Sequence, residues 1–149
     1  MQKCKYREIR GKDLSRSYFV DGEMKAFVHD IADARPGVVF MSEDSWAMQV
    51  GIMQWPGGHS SRPHRHNPRS HMVTVTSEAL IVWKGRTDVV LYDNKGELAE
   101  TIELSAGSVC VMFGGAHGIA VHEDSIITEL KQGPYDGQKD KVWLDEVHG

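Results

Sequence analysis

Turn-forming residues recur roughly every ten positions through the second half of this sequence, a rhythm that suits short strands and leaves little room for helices. Lys84-Gly85 and Asp93-Asn94-Lys95-Gly96 separate apolar runs at 78–83, 87–92 and 98–104, which predicts a β-meander of the kind found in sandwiches and barrels. No stretch carries the 3.6-residue apolar period of an amphipathic helix. Nearer the start, Asp21-Gly22 stands between Tyr18-Phe19-Val20 and an apolar stretch from Met24 to His29. Asp-Gly accepts the positive φ angles of a tight two-residue turn, so a hairpin is expected, with His29 as a half-exposed strand histidine. ARPG at 34–37 marks a turn, 37–41 a short strand and 42–45 a polar break. The run WAMQVGIMQW at 46–55 is predicted to be a buried strand interrupted by Gly51, with Met48 and Met53 as core filler rather than metal ligands. Residues 1–16 are charged and aperiodic, which suggests a flexible or edge segment ahead of a single domain over 17–149.

The chemistry-bearing residues concentrate in GHSSRPHRHNPRSHMVTVTSEALIVWKG, residues 58–85. His64 and His66 are two apart, so on an extended strand both imidazoles share a face and can converge on one ion. Glu78 opens an apolar run, and a carboxylate at the head of a buried strand needs a partner. Asn67-Pro68-Arg69-Ser70 is a turn sequence, in which Arg69 is either a solvated loop residue or a contact for an anionic substrate. Further along, GSVCVMFGGAH at 107–117 ends a strand in a glycine pair and supplies His117.

These two stretches resemble the paired motifs of the cupin superfamily. Five residues separate Gly58 from His64 in the first motif, and six separate Glu78 from Gly85. The gap of eleven residues between His66 and Glu78 is longer than is usual for the family. In the second motif Gly107 and Gly115 match and His117 arrives one residue early, with Phe113 in the place of proline and Val121 in the place of asparagine. The ending ITELKQGPYDGQKDKVW resembles that of small cupins found among bacterial surface-polysaccharide genes, so the resemblance covers most of 48–144.

That resemblance implies an all-β double-stranded β-helix, the jelly-roll cupin barrel, with His64, His66, Glu78 and His117 as metal ligands. His71 is an alternative to Glu78, since it falls where a shorter gap would place the glutamate, but the Glu78 alignment keeps glutamate and glycine in register. Three imidazoles and one carboxylate accept Fe, Mn, Zn, Ni or Co without choosing among them. The implied function is an isomerase or epimerase acting on a sugar or sugar-nucleotide intermediate. The same site type also serves Fe(II)-dependent dioxygenases and non-catalytic small-molecule-binding cupins. His71 and Tyr135 are the candidates for proton transfer, and Tyr135, after Gly133-Pro134, either overhangs the site or packs on a terminal loop. Cupins of this size commonly pair by sheet extension, so a homodimer is expected.

Composition narrows the partners. The formal net charge is −4 and the basic residues read as scattered, so no nucleic-acid footprint is expected. No run approaches the ~18 apolar residues of a membrane span, and the opening MQKCKYREIRGKD lacks the apolar core of a signal peptide. The two cysteines, Cys4 and Cys110, do not make a disulfide framework, and Cys110 in its apolar strand reads as an inert core thiol. A reducing, cytoplasmic setting follows as the expectation.

Overall fold

The structure, a computed structural model, describes residues 7–10, 15–42 and 44–144. Eleven strands run through it. The first five are β1 (Arg7–Arg10), β2 (Arg16–Val20), β3 (Glu23–Asp30), β4 (Gly37–Phe40) and β5 (Gly51–Gln54). The remaining six are β6 (Ser77–Lys84), β7 (Arg86–Tyr92), β8 (Leu98–Ser105), β9 (Ser108–Phe113), β10 (His117–Val121) and β11 (Ile126–Lys131). They form a six-stranded sheet in the order β1-β2-β3-β9-β6-β11, a three-stranded sheet β10-β7-β8 and a ribbon β4-β5, with every strand pair antiparallel. The fold is therefore an all-β sandwich of antiparallel sheets.

Period-two alternation builds the layer between the two larger sheets. Val89 and Leu91 of β7 and Ile102 and Leu104 of β8 meet Ala26 and Val28 of β3, Leu80 and Val82 of β6, and Cys110 and Met112 of β9. The six-stranded sheet is also covered on its other face, where Phe27, Ala79 and Val111 lie under Met41, Trp46, Met48, Val50 and Phe113. Trp46 and Phe113 pack with ring centroids 4.3 Å apart and planes tilted by 57°. Burial on both faces explains why the central strands read as unbroken apolar runs, whereas β7, covered on one face, alternates.

The hairpin at Asp21-Gly22 forms as expected, with φ of 53° and 82° at the two turn residues. Charged residues 7–10 make the edge strand β1, while 1–6 and 11–14 lie outside the described residues. Three expectations need correction. His29 is buried, at 4% exposure, because the face of β3 it shares with Phe27 is covered; its Nδ1 lies 3.5 Å from Ser15 Oγ. The run at 46–55 is not one buried strand: the strand starts at Gly51, and Met53 is 63% exposed. Before Gly51 the backbone bonds locally, since the Ser42 hydroxyl accepts the Val50 N–H at 2.9 Å and the Val50 carbonyl accepts the Met41 N–H at 2.8 Å. Met48, by contrast, does pack on the covered sheet.

The third correction concerns the meander. Only β7 and β8 form a hairpin, around Asp93–Gly96, where Asp93 Oδ1 accepts the N–H groups of Lys95 and Glu97 at 2.9 Å. Lys84-Gly85 instead carries the chain from one sheet to the other, as β6 and β7 do not pair. The same switching recurs between β8 and β9, β9 and β10, and β10 and β11.

Cys110 lies fully buried in the inter-sheet layer, and burial pushes its thiol up to about 12. A Cys4→Ser variant should therefore show no fast reaction with a thiol reagent at pH 8 until it is unfolded. Stoichiometric labelling of the native variant would contradict this placement. Between the ordinary thiol value near 9 and the folded value near 12, only the unfolded chain loses the proton, so this group lowers stability as pH rises through that window.

Candidate metal centre

Glu78 is the second residue of β6, paired across the ladders with Met112 of β9 and Lys131 of β11. It shares a face with Leu80 and Val82, so its carboxylate opens between the sheets at one end of the apolar layer. His117 begins β10 in the opposing sheet, one residue after the left-handed Gly114 and Gly115. Its Nε2 lies 3.0 Å from Glu78 Oε2, with the two side chains only 25% and 14% exposed. Its Nδ1 lies 3.2 Å from the Gly115 carbonyl oxygen. Both ring nitrogens thus face oxygen acceptors. A neutral imidazole has one N–H, so it donates either to Glu78 or to the Gly115 carbonyl, and donation to both takes a second proton.

His64 and His66 lie elsewhere, on the segment between β5 and β6. The expected strand there does not form: residues 55–76 carry no strand and all are exposed. Pro56, Pro63 and Pro68 cannot donate to a ladder, and residues 56–71 have no alternating apolar face to bury. The two imidazoles nevertheless stay together, edge to face, with ring centroids 5.2 Å apart. The His64 Nδ1 lies 3.0 Å from the Arg62 carbonyl oxygen, an arrangement that leaves Nε2 as the outward nitrogen. Trp55 stacks on His59 at the start of the segment, centroids 3.8 Å apart and 5° from parallel. At its end, a Cβ on Gly114 would collide with Val75, which places the last residues of the segment against the turn that precedes His117.

The four expected ligands therefore stand as two pairs, Glu78 with His117 and His64 with His66. Among the described residues no three His, Cys, Asp or Glu side chains gather as a metal-binding group. Within the first pair the donors fit an ion: two atoms about 2.1 Å from one octahedral ion and at right angles are about 3.0 Å apart. His71 lies exposed on the same irregular segment as His64 and His66. Tyr135 is 73% exposed, with the Lys131 ammonium 5.2 Å from its ring centroid.

Lys131 and Asp140 are the members that sequence reading missed. Lys131 stands directly opposite Glu78 on the same face of the sheet, and its ammonium is hydrogen-bonded to Asp140. That bond, with the charges of Asp140, Glu78 and Glu129, raises the ammonium above its ordinary value. The only signal in sequence is a lysine ending a strand, which does not reveal its ladder partner. A second histidine–carboxylate pair, His122 Nε2 to Asp88 Oδ2 at 2.7 Å, lies on the outer face of the three-stranded sheet and away from the inter-sheet layer.

Comparison with known proteins matches no family model, no curated protein and no solved structure. Among the described residues, no helix is long and apolar enough to cross a membrane.

Proposed function

We propose that this chain is a mononuclear metal-binding cupin, a jelly roll whose site lies between the sheets, and that it isomerises or epimerises a sugar or sugar-nucleotide intermediate. One observation carries the reading: a carboxylate and an imidazole from opposing sheets meet at 3.0 Å, a separation that suits two donors on one ion. The repeated switching of strands between sheets after Gly85 supports the jelly-roll part. Glu78 and His117 would hold the ion from the barrel, and His64 and His66 from the segment over its mouth. The ion, Fe, Mn, Zn, Ni or Co by donor type, would supply electrophilic stabilisation of the charge that develops as a proton leaves carbon.

The chain's own residues do the rest. The Gly115 carbonyl holds His117 with Nε2 turned inwards, and the Arg62 carbonyl does the same for His64. Lys131, fixed by Asp140, sets a positive charge beside Glu78, and Tyr135, whose ring lies 5.2 Å from that ammonium, and His71 are the candidates to move the proton. The test is proton exchange in deuterated water, followed by NMR, for a panel of sugars with Zn(II)- or Mn(II)-loaded protein. Exchange at a carbon next to a carbonyl supports the proposal. Substrate-dependent oxygen uptake by the Fe(II)-loaded protein, absent with Zn(II), would replace it with an oxygenase.

A further inference from the structure

The acidic and basic residues of this chain are not evenly distributed. Residues 55–76 contain Arg62, Arg65 and Arg69 and four histidines but no aspartate or glutamate, although the whole chain has 21 acidic residues against 17 basic ones. All three arginines are exposed. Elsewhere, Arg16 faces Asp30 at 3.8 Å, and Arg86 faces Glu103 and Glu123 at 3.5 Å. Among the described residues, none of Arg62, Arg65 and Arg69 has a carboxylate partner. Three like charges within eight residues repel one another, and an anion relieves that repulsion. The choice of side chain is specific too, because the segment has arginines and no lysine, and the planar guanidinium fork matches phosphoryl oxygens two at a time.

We infer that residues 58–71 are a phosphate-recognition segment, in which Arg62, Arg65 and Arg69 hold the phosphoryl group of the substrate beside the Glu78–His117 mouth. The inference rests on the proposed sugar-directed site and narrows its substrate to a phosphate-bearing one, a sugar phosphate or a nucleoside diphosphate sugar. Position supports it: the segment carries His64 and His66, and its end lies against the turn leading into His117. A small anion is favoured over a nucleic acid because three arginines on one short segment match a single phosphoryl group, whereas a polyanion would meet a chain of net charge −4.

The experiment titrates metal-free full-length chain at low ionic strength with pyrophosphate and separately with UDP, reading heat and tryptophan fluorescence, since Trp55 stacks within the segment. Both probes should bind, and the triple variant Arg62→Gln, Arg65→Gln, Arg69→Gln should weaken binding at least about tenfold with an unchanged thermal midpoint. Tighter binding of UDP than of pyrophosphate would assign the nucleotide-linked source, and equal binding the simple sugar phosphate. Equal affinity of parent and triple variant, or no binding of either probe, would overturn the inference. So would binding that requires added Zn(II) and disappears in Glu78→Gln, which would place the anion on the ion instead. Displacement of UDP by a short RNA at equal phosphate concentration would also overturn the small-anion assignment. Arginine-dependent binding in a chain that never takes up metal would instead sink the metal-centre reading while leaving this segment's role intact.

Discussion

Gly85→Ala is expected to destabilise the fold by roughly 3–5 kcal/mol, although it adds a single carbon. Gly85 sits at φ +85°, where a residue with a Cβ is strained by about 1–2 kcal/mol. The larger part is steric. The added Cβ would collide with Ser125 Oγ and lie 2.7 Å from the Asp124 carbonyl oxygen and 2.9 Å from Ser125 Cα. Two of those three atoms are backbone, and the neighbouring backbone is tied down, because the His122 N–H donates to the Arg86 carbonyl at 3.0 Å. Gly22→Ala is the control: it has φ +82°, but open space surrounds the missing Cβ, so only the conformational cost of about 1 kcal/mol applies. Urea denaturation of the two variants separates strain from collision. Equal losses would mean that the β10–β11 connection moves aside and that the corner at Gly85 is not tightly packed.

The same two glycines show what the sequence could and could not disclose. Asp21-Gly22 was legible because a two-residue turn between apolar runs has one local solution, and the hairpin follows from it. Lys84-Gly85 was legible as a turn, but a turn signature does not say whether the next strand returns to the same sheet. That depends on burial at both faces of β6, which involves residues far away in the chain, such as Trp46 and Phe113. His29 was misjudged for the same reason: what covers its face of β3 comes from elsewhere. Of the site, the nearness of Glu78 to His117 is what the resemblance of the two motifs to the cupin pattern implies. The pairing of Lys131 with Glu78 could not be expected, since it depends on which edge β11 joins. For His64 and His66, periodicity of two was read as a strand where Pro56, Pro63 and Pro68 had already excluded one.

Replacing His64, His66 or His117 with alanine, or Glu78 with glutamine, is expected to weaken metal binding by more than about 100-fold each, while His71→Ala leaves it unchanged. The size follows from comparison with outer-shell residues, whose loss alone typically weakens binding about 10- to 100-fold; a direct ligand contributes more. Glu78→Gln is the informative member of the set because it separates the ion from the fold. In the parent, His117 faces an acceptor on each nitrogen, at 3.2 and 3.0 Å, and a neutral ring donates to only one of them. A glutamine at 78 brings an amide N–H that can donate to Nε2 while Nδ1–H still donates to the Gly115 carbonyl, so a neutral imidazole is satisfied at both ends. The variant should accordingly fold with a thermal midpoint close to that of the metal-free parent, and it should lack the rise in midpoint with Zn(II) or Mn(II) that the proposed site predicts for the parent. Metal content after purification and the metal-dependent shift in melting are the two readouts. If Glu78→Gln keeps the ion and His71→Ala loses it, the carboxylate is not a ligand, His71 is, and the 3.0 Å pair is held by a proton.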